Sequence, residues 1–211
     1  MAVRRQTERR TGLLNLDAML DAAEEVVLCD GIGHLTLDAV ARRARLSKSG
    51  LLHHFPTKDA LMDALVARVV AGWRTGCDAA LAEQPPGVGR FPRAVIGHCL
   101  GSTERLTDTL RRRTKVLVAA MVHDPSLVEP LRQVKREYMA RAKADGLPPG
   151  VAEAVLLVSD GLWVDWIFGI REPTKQRLHE IRQALEGWIE DCTRPKKSRP
   201  RRRGRPHEGT R

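Results

Sequence analysis

Apolar residues recur at intervals of three and four along most of the chain, which is the spacing of one face of an α-helix. The clearest short example is the stretch 36–61, TLDAVARRARLSKSGLLHHFPTKDAL. In it, Leu37, Val40 and Ala41 share one helical face. The sequence contains no sustained alternation of apolar and polar residues, which would indicate β-strands. The pattern therefore predicts an all-α fold.

Hydroxyl side chains divide this stretch into short helices. Thr36 and Ser47 each precede a helical segment, where the side-chain oxygen can accept an otherwise unpaired backbone N–H. Pro56 ends the second segment, and Thr57 can cap the next one. Two helices joined by about three or four residues, the second one polar and basic, are typical of a helix-turn-helix motif.

The same periodicity predicts about nine helices in total. The other predicted helices span about 15–28, 58–81, 91–100, a segment capped by Ser102 or Thr103, a segment opened by Asp124 and Pro125, 151–168 and 174–192. The most apolar run, 151–170, contains three acidic residues, so we expect a buried helix and no membrane span. The Arg111–Arg113 triplet is predicted to be a solvated helix face.

The stretch 14–62 resembles the DNA-binding domain of the TetR family of transcriptional regulators. The resemblance is carried by TLDAVARRA, LSKSGLLHHF and PTKDAL, in that order, after an amphipathic first helix. Beyond residue 62 only the all-helical layout resembles the family. The resemblance implies a three-helix helix-turn-helix domain at the N-terminus, followed by a helical ligand-binding and dimerisation domain.

Composition shifts and this resemblance together suggest four regions. We expect a basic flexible arm at 1–12, a DNA-binding domain at 13–60, an effector-binding and dimerisation domain at 61–193, and a disordered basic tail at 194–211.

The resemblance also implies which residues meet duplex DNA. The positions that match base-facing ones are Ser49, Gly50, Leu52 and His53, with Lys48 beside them at the helix start. The positions that match phosphate-facing ones are Thr36, Ser47, His54 and Lys58. Such a set supplies both the phosphate contacts that fix register and the base contacts that read sequence.

Two residues depart from the family's pattern. Arg45 stands in the turn where Gly is frequent, and a left-handed backbone there would cost a non-glycine residue roughly 1 kcal/mol. Leu52 stands where Tyr is frequent and lacks a hydroxyl that could reach a phosphate. Leu52 therefore either makes an apolar contact, for instance with a thymine methyl group, or packs against its own domain.

The net charge of +10 is concentrated at the two ends of the chain. Residues 1–10 carry +3 and residues 194–211 carry +8, so the body between them is close to neutral. This distribution suits arms that grip a polyanion. The tail sequence PRRRGRP at 200–206 resembles the core of a minor-groove AT-hook, and the alternative is a non-specific polycation.

The last predicted helix carries apolar residues at alternating steps of three and four, which is typical of a helix-bundle seam. The seam comprises Leu178, Ile181, Leu185 and Trp188. The resemblance implies that the last two helices pair with their copies in a second subunit, forming a homodimer. The alternative is that the seam belongs only to the core of one subunit.

A ligand pocket is expected mainly from the resemblance, because family members hold a small molecule among the helices after the DNA-binding domain. The residues in that region with polar or adaptable side chains are Trp73, His98, Met121, Tyr138 and Trp163. Residues of these types are more often ordinary core, and that is the alternative for each of them. The sequence does not identify the effector, although the lack of a charge cluster suggests an apolar or aromatic one.

Other chemistry finds little support in the sequence. Catalytic and phosphate-loop motifs are missing, so we expect no enzyme and no cofactor. The adjacent His53 and His54 diverge by about 100° on a helix and make a poor metal site. The four Cys residues are far apart, and buried thiols in a reducing cytoplasm are the default. An architectural or activating DNA-binding protein without an effector is the alternative function.

Overall fold

The computed structural model describes the backbone of residues 2–15 and the complete residues 16–101 and 107–194. Within these ranges the chain forms nine α-helices and no β-strand, which confirms the all-α prediction. The helices are α1 Ala2–Asp30, α2 Leu37–Ala44, α3 Lys48–His54, α4 Lys58–Ala82, α5 Arg90–Leu100, α6 Asp108–His123, α7 Glu129–Ala144, α8 Pro149–Phe168 and α9 Lys175–Thr193. Short 3-10 turns occupy Ile32–His34 and Pro125–Val128.

Helix α1 starts much earlier than its apolar pattern indicated. It runs from Ala2 to Asp30, so the backbone of the residues predicted to form a basic arm continues the helix. The predicted start near residue 15 marks instead the point where α1 begins to bury side chains: Met19, Ala23 and Val26 are at most 1% exposed.

The apolar side chains form two clusters joined by α4. The first cluster gathers α1, α2, α3 and the first half of α4 together with parts of α6 and α7. The second gathers the end of α4 with α5, α7, α8 and α9. Tyr138 packs against both clusters. Because α4 is 25 residues long and contributes to both, it connects the helix-turn-helix to the rest of the molecule.

A network of ion pairs joins α1, α4 and α6. The Arg68 guanidinium pairs with Asp21 and with Glu24, and Arg113 also reaches Asp21 at 3.4 Å and Glu24 at 3.5 Å. Burial raises the pKa of Glu24, and the two guanidinium groups oppose that rise. The prediction that Arg113 belongs to a solvated face was therefore wrong, because the residue pairs with Asp21 and Glu24, which lie 92 and 89 positions earlier in the chain.

Two helix starts differ from their predictions. Helix α6 begins at Asp108 and is capped by Thr107, whose hydroxyl accepts a hydrogen bond from Leu110 N at 3.2 Å. The predicted caps, Ser102 and Thr103, lie outside the described residues. Asp124 does act as a cap, but of the 3-10 turn rather than of α7 directly.

The burial of the cysteines differs from the prediction, whereas the apolar run 151–170 forms the predicted helix. Cys77 is buried, whereas Cys29 and Cys192 are exposed, so the expectation of buried thiols fails for those two. The run 151–170 forms α8, and none of the helices in the described ranges combines the length and apolarity needed to cross a bilayer.

Candidate nucleic-acid interface and central cavity

Helices α2, α3 and α4 each start at the hydroxyl residue that the sequence predicted. The side-chain oxygens of Thr36, Ser47 and Thr57 accept hydrogen bonds from the backbone N–H three residues later, each at 3.1 Å. A side-chain cap of this kind stabilises a helix by about 1 kcal/mol. The caps fix where the two short helices begin and therefore which side chains α3 presents outward.

The turn between α2 and α3 is closed by a left-handed residue. Arg45 has φ 56° and ψ 40° and is the one non-glycine residue with a positive φ among the described residues. Its N–H donates to Arg42 O at 3.2 Å, and Leu46 N–H donates to Ala41 O at 2.9 Å. These two bonds form a Schellman motif, which ends α2 and redirects the chain into α3.

Helix α3 buries one side and leaves a polar side free. Leu51 is fully buried, and Phe55 at the helix end is 4% exposed. The outward side chains are those of Lys48, Ser49, Leu52, His53 and His54. Leu52 is 37% exposed, so part of its side chain packs against its own domain and part is accessible to another molecule. The free surface of α3 is therefore polar and basic with one apolar side chain.

Among the residues predicted to contact DNA, Lys48 and Gly50 each lie close to a residue of the helix-turn-helix itself. Lys48 pairs with Asp38 of α2, their charged atoms lying 2.9 Å apart, and both side chains are more than half exposed. Such an exposed ion pair contributes little stability, so the Lys48 ammonium can exchange the Asp38 carboxylate for another anion. A Cβ at Gly50 would lie 3.1 Å from Ser47 Oγ, so a larger residue there would crowd the cap of α3.

The predicted seam on α9 divides between the inside and the outside of the subunit. Leu178 and Leu185 are 3% and 1% exposed and belong to the second apolar cluster, and Ile181 packs partly against it. Trp188 is 48% exposed. Leu178 and Leu185 therefore serve the core of the subunit, and only Trp188 and part of Ile181 remain for another molecule.

Helix α8 exposes a row of apolar side chains that was not predicted from the sequence. Leu157, Val164 and Phe168 are 62%, 47% and 58% exposed. Their spacing of seven and four residues places them on one face of the helix. Because α8 is apolar around most of its surface, its sequence pattern could not distinguish this face from the buried one. Large exposed apolar side chains in a row are typical of an interface.

A small cavity of about 60 Å³ lies among α4, α5, α7 and α8. Four of the five predicted pocket residues line it, namely Trp73, His98, Tyr138 and Trp163. Met121 does not line it and packs at the edge of the first apolar cluster instead. The aromatic side chains expected to surround a ligand are thus brought together.

Hydrogen bonds orient the aromatic walls of the cavity. Tyr138 OH donates to Trp73 O at 3.3 Å, and Trp163 Nε1–H donates to Cys99 Sγ at 3.4 Å. The buried Trp73 Nε1–H has no acceptor among the described residues. Burial raises the pKa of the Cys99 thiol to about 11, and it also raises the pKa of Tyr138. Both groups are therefore neutral at physiological pH.

A charged pair belongs to the lining of the cavity. Lys135 of α7 and Asp160 of α8 form an ion pair, and both line the cavity. Their side chains are 44% and 42% exposed. This pair was not predicted from the sequence, because the two residues are 25 positions apart and each resembles part of a solvated helix face.

The wall beside His98 depends on a glycine. A Cβ at Gly76 of α4 would lie only 2.1 Å from Cε1 of His98 on α5. The two helices can therefore keep this imidazole between them only because position 76 has no side chain.

Comparisons with known proteins agree with this architecture. The family profile described as "Bacterial regulatory proteins, tetR family" matches residues 19–65, and the profile "Tetracyclin repressor-like, C-terminal domain" matches residues 89–190. No curated protein matches the chain significantly.

Several solved structures share the fold. One is a TetR-family transcriptional regulator from Rhodococcus sp., with a TM-score of 0.61, 21% identity, and 85% of this chain and 99% of that chain covered. A TetR family member from Streptomyces coelicolor A3 has a TM-score of 0.61 and 24% identity over 83% and 98% of the two chains. The multidrug binding protein EbrR, complexed with malachite green, has a TM-score of 0.59 and 25% identity over 82% and 96%.

The two family profiles together match well over half of the chain, and they divide it where α4 leaves the helix-turn-helix. The N-terminal profile covers the capped helices α2 and α3, and the C-terminal profile covers α5, α7 and α8, three of the four helices that line the cavity. The chain therefore belongs to the TetR family of DNA-binding transcriptional regulators.

Proposed function

We propose that the protein is a homodimeric repressor that binds a two-fold pseudo-symmetric operator and leaves it when a small molecule binds. The observation that carries the DNA-binding part is the exposed face of α3, which is polar and basic and is fixed by side-chain caps on both flanking helices. A dimer with two-fold symmetry presents two such helices, which fit two half-sites about one helical turn of DNA apart.

The roles proposed for the DNA-contacting residues are those that the family resemblance implies. We assign base-edge contacts to Ser49, Gly50, Leu52 and His53, with Lys48 beside them. We assign phosphate contacts to Thr36, Ser47, His54 and Lys58. Lys58 is the first residue of α4, where the ammonium and the helix N-terminus both favour an anion.

We propose that the dimer forms through the exposed sides of α8 and α9. The row Leu157, Val164 and Phe168 lies on one helix, and Trp188 lies on the other. Leaving these apolar side chains in water is unfavourable. Pairing with a second copy would bury the same four side chains in each of the two subunits. Leu178 and Leu185 hold α9 to its own subunit and so present Trp188 outward.

Release by a small molecule is supported by the aromatic cavity. The cavity lies between the long helix α4, which carries the helix-turn-helix, and α8, which carries the proposed dimer face. A ligand that fits the cavity better in one arrangement of these helices would shift the protein toward that arrangement. EbrR, which has the same fold, was solved with malachite green bound.

The basic tail is assigned a supporting role on its sequence alone, since residues 195–211 lie outside the described residues. A net charge of +8 over 194–211 should raise affinity for any duplex and steepen its salt dependence. Truncation after Thr193 tests this on operators with A·T-rich or G·C-rich flanks. A loss confined to the A·T-rich flanks supports the minor-groove hook, and an equal loss supports the polycation.

The experiment that tests the central proposal is selection of binding sites from random duplex DNA with the full-length protein. We expect an enriched sequence with inverted-repeat symmetry, and we expect sites of this kind in the DNA near the protein's own gene. Enrichment of no sequence at all would favour an architectural DNA-binding protein. Enrichment of an asymmetric sequence would contradict the symmetric dimer.

The matched control is the variant Leu52→Ala/His53→Ala, selected in the same way. These two side chains are exposed, so their removal leaves the fold intact. We expect the variant to enrich a shorter or more degenerate motif, since it has lost two of the proposed base contacts. An unchanged motif would show that another surface reads the DNA.

A further inference from the structure

The aromatic side chains of this chain are concentrated at one place. The sequence has only eight Phe, Tyr and Trp residues. Trp73, Tyr138 and Trp163 line the cavity. Phe91 stacks edge-on against Tyr138 at 5.2 Å, and Trp166 stacks edge-on against Trp163 at 5.3 Å. Five of the eight thus form the cavity or support its walls, which favours a ligand with an aromatic ring.

Two of the residues that line the cavity carry an indole N–H without a good acceptor. Trp73 Nε1–H is buried and has no partner in the part of the chain that the structure describes. Trp163 Nε1–H donates to a sulfur atom, which is a weak acceptor. An unmade hydrogen bond to a buried donor is unfavourable, so a ligand that brings an acceptor oxygen gains more than one that brings a donor.

The ion pair at the cavity decides the charge of that ligand. Lys135 and Asp160 are each nearly half exposed, so water can replace either partner at small cost. An organic cation would take Asp160 but would leave the indole N–H groups as they are. An organic anion would take Lys135 and could also accept from an indole N–H. The anion therefore satisfies more of the cavity.

We propose that the cavity binds an aromatic carboxylate. Its ring lies against the Trp73, Tyr138 and Trp163 side chains, and its carboxylate accepts hydrogen bonds from Lys135 and from Trp73 Nε1. In binding, the ligand replaces Asp160 as the partner of Lys135. This proposal rests on the proposed function only in treating the bound molecule as the effector, because binding itself needs no DNA.

The size of the cavity restricts the ligand to about one ring. A dry protein cavity of roughly 150 Å³ is known to take up benzene. The cavity here is smaller, about 60 Å³, so a one-ring ligand requires its lining, which includes Lys135 and Asp160, to move apart. In this proposal the exposed pair of Lys135 and Asp160 separates on binding, which frees the ammonium for the ligand.

The test is isothermal titration of the full-length protein with three probes of equal ring size: benzoate, benzylammonium and toluene. We expect benzoate to bind most tightly. Trp73→Phe keeps an aromatic ring but removes the N–H together with the second ring of the indole. Binding of benzoate, which loses the hydrogen bond as well, should therefore weaken by about tenfold more than binding of toluene does. Lys135→Met should have a similar effect, and Lys143→Met, an exposed lysine on the same helix, should have none.

Asp160→Asn separates the two charge classes. This substitution removes the carboxylate that competes for Lys135, so benzoate should bind several-fold more tightly and benzylammonium more weakly. Tighter binding of benzylammonium than of benzoate to the natural protein would overturn the proposal. So would the failure of all three probes to bind, or a Trp73→Phe variant with unchanged affinity for benzoate.

Failure of the proposed function has a different signature. If benzoate binds as expected but does not reduce affinity for the selected operator, the binding site stands and effector release is wrong. If operator binding is confirmed but the order of the probes is reversed, the regulator stands and the carboxylate is wrong.

Discussion

The surface formed by α3 and the surface formed by α8 and α9 differ in the side chains that they expose to solvent. Helix α3 turns its large apolar residues Leu51 and Phe55 inward and exposes polar and basic side chains with Leu52. Helices α8 and α9 also fill their own core, yet they leave four large apolar side chains 47% to 62% exposed, at Leu157, Val164, Phe168 and Trp188. The first surface suits a hydrated polyanion, and the second suits another apolar surface.

The difference shows that the chemistry of the exposed residues, and not that of the buried ones, indicates what kind of molecule each face can bind. Helix period alone predicts an inner face for both regions. The remaining face of α3 has donors and charges, which bind phosphates and base edges. The remaining faces of α8 and α9 are apolar, and apolar side chains are more stable in contact with one another than in water. Burying these faces against a copy of themselves is therefore favourable.

The largest expected effect is on assembly. Trp188→Glu places a charge in the proposed dimer face, and desolvating that charge is costly, so association should weaken by more than a hundredfold. Because Trp188 is half exposed, the subunit should stay folded. Analytical ultracentrifugation and circular dichroism measure the two properties.

Leu52→Glu is the matched control for that prediction, because it places the same charge on the other surface. It should leave the dimer intact and abolish operator binding. A Trp188→Glu protein that still sediments as a dimer would remove α9 from the interface and with it the contrast between the two surfaces.

The next effect separates the two sides of α3. Leu51 is 0% exposed, so Leu51→Ala should lower the free energy of unfolding by about 3 kcal/mol. The neighbouring Leu52→Ala should lower it by less than about 0.5 kcal/mol and weaken operator binding instead. Urea unfolding followed by circular dichroism tests both. Comparable losses of stability would mean that Leu52 packs against its own domain after all.

A third prediction divides the DNA-facing residues by role. Lys58→Ala should weaken binding about tenfold on every sequence and reduce the log–log salt slope by about one for each half-site. His53→Ala should relax the preference at one or two base pairs and leave the salt slope nearly unchanged. Fluorescence anisotropy titrations over a range of salt concentrations measure both quantities. The reverse assignment would follow if Lys58→Ala altered sequence preference at constant slope.

The smallest effect concerns the turn that joins α2 to α3. Arg45 has φ 56°, so Arg45→Gly should raise the free energy of unfolding by about 1 kcal/mol. Arg42→Gly, three residues earlier inside α2, should lower it by about the same amount. Thermal unfolding of the two variants checks the opposite signs. Destabilisation by both would mean that the Arg45 side chain contributes more than its backbone costs.

The helix-turn-helix was predictable from the sequence because its signals are local. Thr36, Ser47 and Thr57 cap helices whose next residues already show helical spacing, and Pro56 cannot continue α3. The start of α1 was not predictable, since the sequence of residues 2–12 contains no apolar residues at helical spacing. The cap of α6 was missed because several hydroxyl residues precede that helix and the sequence does not rank them.

The cavity was predictable only in part. Its aromatic residues were predicted because they have polar or adaptable side chains and lie in the region where the family resemblance implies a ligand pocket. Lys135 and Asp160 were missed because their pairing depends on how α7 and α8 pack, and no short-range pattern reports that. For the same reason the ion pairs from Arg113 to α1 and the outward row of α8 required the structure.

The contact between Gly76 and His98 has a consequence for how this protein can change over evolutionary time. A methyl group at position 76 would overlap the imidazole, with only 2.1 Å between Cβ and Cε1. Neither position can therefore drift independently: a side chain at 76 requires a smaller residue at 98 or a wider gap between α4 and α5. In an alignment of close orthologues we expect the two columns to covary, with bulk at one matched by loss of bulk at the other.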